Sequence, residues 1–135
     1  MPEKRRSLLD SYALVALFKR ESGCERVKAL LRAARTAGDP LLINEISVGE
    51  FFYATARRWS REMAERCLRR LSTLPLQTVG NSYEDVLDAA RIKARVPLSY
   101  ADAFVVATAL RTNAVIVTGD PEFQAVAKLV KIEWL

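Results

Sequence analysis

Five short apolar segments recur along the chain, separated by stretches whose apolar residues fall at helical spacing, and this alternation decides the fold class. The strand candidates are Ser7 to Asp10, Leu41 to Ile43, Pro75 to Thr78, Ala114 to Val117 and Leu129 to Trp134. Helices are predicted over Ser11 to Phe18, over Gly23 to Ala37 up to the Gly38-Asp39-Pro40 turn, from Asn44 to about Arg58, and from Ser60 to about Leu71. Two helices before the third strand suggest an inserted arm. A further helix, capped by Asn81 or Ser82, turns Val86, Leu87, Ala90 and Ile92 inward and closes at Pro97; another, apolar all round, runs from Ser99 to Leu110. Pro121 begins a last helix. Strands that alternate with helices pair in parallel through right-handed crossovers, which gives an α/β fold, a three-layer α/β/α sandwich around a five-stranded parallel sheet. Ligands of such sheets gather at the carboxyl ends of the strands.

A chain of 135 residues suits one domain over residues 1–135, and a half-hydrophobic composition allows a core without disulfides or a structural metal. The 21 Lys and Arg exceed the 16 Asp and Glu, leaving +5 and favouring a polyanionic partner. The absence of histidine removes Ser-His and Cys-His catalysis and the histidine zinc sites, so any chemistry falls to carboxylates, lysines or hydroxyls. Gly119 stands alone in its turn, without a glycine-rich phosphate loop. Cys24 and Cys67 lack metal-ligand spacing and fit a reducing compartment. The basic N-terminal segment lacks a signal-peptide cleavage pattern, and no stretch approaches the roughly 20 apolar residues of a membrane span. The expectation is a cytoplasmic protein without a membrane partner.

Four acids stand where charges are out of place. Asp10 is the only charged residue between Arg6 and Lys19, at the carboxyl end of the first strand. Asp102 is the only one between Arg95 and Arg111, in a helix that otherwise reads as buried. An unpaired buried carboxylate costs several kcal/mol or takes up a proton, so Asp102 needs a partner. Asp120 leaves the Ala-Val-Ile-Val strand through Thr118 and Gly119, on the same edge as Asp10. Glu50 interrupts a helical stripe of Ile46, Tyr53 and Ala54. Each acid alone has a plain structural account: Asp10 and Asp120 as helix caps, Asp102 in a capping box with Ser99, Glu50 in a pair with a distant Arg. Together on one rim they repel, and a divalent cation is the usual resolution; oxygen-only ligands favour Mg²⁺ or Mn²⁺, which support phosphodiester hydrolysis without histidine.

Four segments, Leu8-Leu9-Asp10-Ser11-Tyr12-Ala13-Leu14, Asn44 to Tyr53, Leu98-Ser99-Tyr100-Ala101-Asp102-Ala103-Phe104 and Val117-Thr118-Gly119-Asp120-Pro121-Glu122-Phe123, resemble the PIN-domain family, and within it the VapC-type toxins of prokaryotic toxin–antitoxin pairs. The resemblance spans nearly the whole chain. It implies a PIN-like fold and a Mg²⁺- or Mn²⁺-dependent endoribonuclease that leaves a 5′-phosphate and a 3′-hydroxyl. It places Asp10, Glu50, Asp102 and Asp120 as metal and catalytic residues, with Asp10 and Asp102 central and Thr118 supporting Asp10. Register favours Glu50 over Glu45, and the role of Asn44 stays open. A homodimer is implied too, as is a VapB-type antitoxin whose tail blocks the acidic pocket.

Arg57, Arg58, Trp59 and Arg61, with Arg66, Arg69 and Arg70, load the arm, and Arg91, Lys93 and Arg95 load a later helix. The first four are candidate RNA-binding residues, Trp59 for base stacking and the arginines for phosphates. A solvated helix face offset by Glu62 and Glu65 is the competing account. Phe51, Phe52 and Trp59 are candidates for partner surfaces, with core packing favoured for both phenylalanines. The rival functions are a PIN-like module that binds RNA or protein without cutting, and a structure-specific DNA nuclease. A phosphatase is disfavoured because Tyr12 stands where a second aspartate belongs.

Overall fold

The computed structural model describes residues 5–135; the first four residues of the basic N-terminal segment lie outside them. Strands β1 (Ser7–Leu9), β2 (Leu41–Asn44), β3 (Leu76–Val79), β4 (Val115–Thr118) and β5 (Ile132–Trp134) form one sheet in the order β3-β2-β1-β4-β5. Every pairing is parallel. The helices are α1 (Ser11–Lys19), α2 (Cys24–Ala37), α3 (Glu45–Arg58), α4 (Arg61–Leu71), α5 (Tyr83–Arg95) and α6 (Tyr100–Thr112). The predicted α/β/α sandwich with a five-stranded parallel sheet is therefore observed.

Strand register explains how so short a sheet holds together. Leu8 lies opposite Leu42 and Ile116, while Leu9 lies opposite Ile43 and Val117. Because side chains alternate across a strand, these become two apolar rows on opposite faces. The Leu9 row packs against α1, α2, α3 and α4 through Leu14, Val27, Leu31, Phe51 and Cys67. The Leu8 row packs against α6 through Val105, Val106 and Ala109. Full burial of one such leucine is worth roughly 2 kcal/mol. A one-residue slip would exchange the rows, so the pattern also fixes which strand ends share an edge.

Three features depart from the sequence expectations. The last helix is a 3-10 helix over Pro121–Val126, with Phe123 and Val126 buried on one side of it. The last strand is shorter than expected, because backbone bonds from Leu129 and Val130 to the carbonyl of Val126 hold the preceding residues in a turn. On α5 the fully buried residue is Ala89, with Val86, Leu87, Ala90 and Ile92 half-buried. Phe51 is in the core, stacked on Phe18 at 5.4 Å between centroids. The arm, α3 and α4, packs onto the sheet through Phe51, Cys67 and Leu71. Both cysteines are free and buried. Among the described residues no helix is long and apolar enough to cross a membrane.

Candidate active site

Asp10 ends β1 and caps α1: its Oδ1 accepts the backbone N–H of Ala13 at 2.9 Å. Its Oδ2 accepts the hydroxyl of Thr118, at the end of β4, at 2.5 Å. The same hydroxyl accepts the backbone N–H of Asp120 at 3.0 Å, so one fully buried threonine links two strand ends and fixes two of the acids. The expected support of Asp10 by Thr118 is observed. Burial is the main reason that the Asp10 carboxyl is pushed up to about 7; the bonds from Thr118 and Ala13 oppose the shift and the charge of Asp120 adds to it.

Asp102 stands in the first turn of α6, 5% exposed. Ser99 accepts its backbone N–H at 3.1 Å. A complete capping box forms only on α5 among the described helices, where Asp85 also accepts the Ser82 N–H; Asp102 does not return that bond, so capping leaves its carboxyl unexplained. Burial first, opposed by the Ser99 hydroxyl and helped by the charges of Asp120, Asp10 and Glu50, pushes its carboxyl up to about 8. Four acids from separate stretches of chain thus feel one another.

Asp120 caps the 3-10 helix by accepting the N–H of Glu122 at 2.9 Å. One oxygen from each of Asp102, Asp120 and Glu122 lies within 4.8 Å of the others, close enough to share one cation. Glu122 was not a sequence candidate. It follows a cap and a proline in an ordinary helix start, and only the tight coil brings its carboxylate round to Asp102.

Glu50 is half-buried, and its Oε1 accepts the hydroxyl of Ser11 at 2.5 Å. The stripe expected around it is not the buried one: Ile46, Tyr53 and Ala54 are exposed, and α3 turns Ser47, Phe51 and Thr55 to the core. The reason is the pull of Phe51 into the Phe18 stack, which rotates Glu50 to the flank facing α1. Its partner is this hydroxyl and not a distant arginine. Ser11, the residue after Asp10, was also unforeseen as a site residue. Periodicity does not distinguish it from any other polar residue in a first helical turn.

None of the ion pairs among the described residues involves Asp10, Glu50, Asp102 or Asp120. Glu45 is committed elsewhere, accepting the backbone and side-chain N–H groups of Asn81 at 3.1 and 3.2 Å. Asn44, fully buried, caps α3 and donates to Asn81 and Thr108, both at 2.8 Å, tying β2 to α6 and the turn after β3.

The basic candidates occupy another place. Trp59 follows α3 nine residues after Glu50, about 13 Å of helix rise. Lys19 Nζ lies 3.6 Å from the Trp59 ring centroid and the Arg58 guanidinium 4.7 Å, while Arg57 leans on Tyr53 at 5.5 Å. Arg61 opens α4. Arg91, Lys93 and Arg95 close α5, from which the chain passes through Pro97 directly into the first turn of α6 and Asp102.

A five-stranded parallel α/β/α sandwich with hydroxyl-braced acids at its carboxyl edge is the class of protein defined here. The chain belongs to the PIN domain family, whose model matches residues 7–129. The structure is similar to that of DNA-bound VapBC from Salmonella typhimurium, at 16% identity and TM-score 0.76 over 96% of this chain and 98% of that one. It is similar to promoter-bound VapBC2 from Rickettsia felis, at 14% identity and TM-score 0.74 over 94% and 96%. It is also similar to VapC20 from Mycobacterium tuberculosis, described as a sarcin-ricin loop cleaving toxin, at 20% identity and TM-score 0.70 over 89% and 94%. Comparison with curated proteins by sequence gives no significant match.

Proposed function

We propose that this protein is a Mg²⁺- or Mn²⁺-dependent endoribonuclease of the VapC type, the toxin of a toxin–antitoxin pair. The observation that carries the reading is the group of acids at the sheet edge, buried or half-buried, mutually repelling and in no ion pair among the described residues. That arrangement disfavours the folded state unless a cation joins it. The donor set fits a hard divalent ion: Asp102, Asp120 and Glu122 have oxygens close enough to share it, and Asp10 and Glu50, whose charges reach Asp102, would complete the set. Such an ion supplies Lewis-acid polarisation of a phosphoryl oxygen and acidification of water.

The chain's own residues do the rest. Thr118 and Ala13 hold the Asp10 carboxylate in one orientation, so that no rearrangement is needed when substrate arrives. Ser11 does the same for one oxygen of Glu50. The other, Oε2, accepts no hydrogen bond among the described residues, which supports a role in completing the metal site or positioning the attacking water. The nearness in chain of the basic end of α5 to the first turn of α6 supports contact with the flanking phosphates, with Arg57, Arg58 and Arg61 proposed to meet a longer substrate.

A second surface supports the antitoxin. A groove of about 670 Å³ runs between α1, α2 and α4, floored by Leu17, Phe18, Leu31, Met63 and Cys67 and rimmed by Lys28, Arg32, Arg35, Arg66 and Arg70. An apolar floor inside a ring of cations suits an amphipathic segment with acidic flanks, the proposed seat of the part of a VapB-type antitoxin that precedes the tail in the acidic pocket. The assembly is proposed as a homodimer, to be read from the molar mass in solution.

The test is cleavage of a pool of structured RNAs and single-stranded DNAs with Mg²⁺ or Mn²⁺, comparing the native protein, an EDTA control and Asp10→Asn. RNA cuts lost in both controls support the reading. DNA cuts alone would move it to a DNA nuclease, and no cuts in either pool would move it to a non-catalytic binding module.

A further inference from the structure

Tyr12 follows Asp10 by two residues in the first turn of α1. Its ring lies against Gly119, in the turn between Thr118 and Asp120: a Cβ at that position would come within 2.6 Å of the ring Cζ and 2.8 Å of the phenol oxygen. The ring therefore rests on the backbone that joins two elements of the acid site, and the glycine leaves it room. Its backbone has no positive φ, so space is what the residue supplies. The Tyr12 side chain is fixed on one side and 37% exposed overall. Among the described residues no aromatic ring and no cation stacks on it. Trp59, the aromatic expected to stack, already carries Lys19 and Arg58 and sits far along α3 from the acids.

We infer that Tyr12 is the platform on which the nucleobase beside the scissile phosphate stacks, which makes an unpaired, splayed-out base at that position the element of RNA this site selects. The inference rests on the ribonuclease reading. A flat ring held rigid beside the reacting phosphate binds a base face at little entropic cost, and stacking tolerates any base while requiring that it leave its own helix. The residue thus bears on which shape of RNA is cut and less on which sequence.

The experiment uses single-stranded oligoribonucleotides of mixed sequence with Mn²⁺, and matched sets in which an abasic ribose replaces each base in turn; KM and kcat are measured separately. In the native protein the abasic site next to the cut raises KM about tenfold. Tyr12→Leu, which fills similar space without a π face, raises KM on intact RNA by a similar factor and abolishes the further abasic penalty. Tyr12→Phe stays close to native, and so does Tyr83→Leu, at an exposed tyrosine on α5. A 2-aminopurine at the sensitive position is quenched on binding by the native chain and by Tyr12→Phe, which serves as the readout should Tyr12→Leu not fold. An abasic penalty of equal size in native and Tyr12→Leu, or no penalty and no quenching in the native protein, overturns the proposal while cleavage still stands. Native protein that neither binds nor cuts any RNA overturns the ribonuclease reading and this proposal with it.

Discussion

The carboxyl edge of the sheet and the groove between α1, α2 and α4 carry opposite charge, and they are built on opposite physical principles. At the edge, few charges are withdrawn from water and held by hydroxyls and backbone N–H groups, with Asp10 at 1% exposure and Asp102 at 5%. Around the groove the charges belong to long, exposed side chains over an apolar floor. Desolvation makes each charge at the edge expensive and specific, whereas each cation at the groove is cheap, screened and interchangeable with its neighbours. The net charge of +5 therefore describes the surface of the molecule and says little about its centre.

The largest effect expected from this contrast is on catalysis. Asp102→Asn or Asp10→Asn should lower cleavage by about 10²-fold or more, whereas Arg32→Glu with Arg66→Glu should leave it unchanged. Equal losses from both kinds of variant would break the comparison. Next comes pH. Asp10 and Asp102 titrate near 7 and 8 in the folded protein against 3.8 unfolded, so the folded state binds more protons over that window. Metal-free stability should then fall as pH rises from 5 to 8, by about 1.4 kcal/mol per pH unit for each of the two acids until it titrates, and added Mn²⁺ should restore it more strongly at the upper end. A flat melting profile without metal would show that the edge is not strained by its charges.

Smaller effects sharpen the boundary between the two regions. Gly119→Ala, which forces a Cβ into the Tyr12 ring, should destabilise by about 1 to 2 kcal/mol and lower cleavage, as read by thermal unfolding and kinetics. Arg32→Glu with Arg66→Glu should weaken the antitoxin by about tenfold, a loss that added salt reduces; unchanged affinity in titration calorimetry would remove the groove from the partner interface.

Much of this arrangement was legible in the sequence because the strands are short and uniformly apolar and the helices carry clear caps. Asp10, Asp102 and Asp120 stood out because a charge in an apolar run needs a reason, and in the structure Asp10 and Asp120 are helix caps that also lie beside Asp102. Glu50 lay on a misjudged stripe, since Ile46, Tyr53 and Ala54 satisfy helical spacing without facing the core. Local spacing also could not tell that six residues would wind as a 3-10 coil and bring Glu122 to Asp102. Nor could it tell that Gly119 and Tyr12, far apart in sequence, are neighbours. Those contacts are set by which strand ends meet, and that is a property of the whole sheet.

The bond between Thr118 and Asp10 spans 108 positions of the chain. In chain order β1 and its neighbour β2 are both made well before β4, the partner of β1 on the other side. Until Thr118 emerges, the first aspartate lacks one of its two braces, and Asp120 does not yet exist. On the proposed function a half-made chain therefore cannot cut: the acid site is complete only once β4 and Asp120 have been added, among the last elements of the chain.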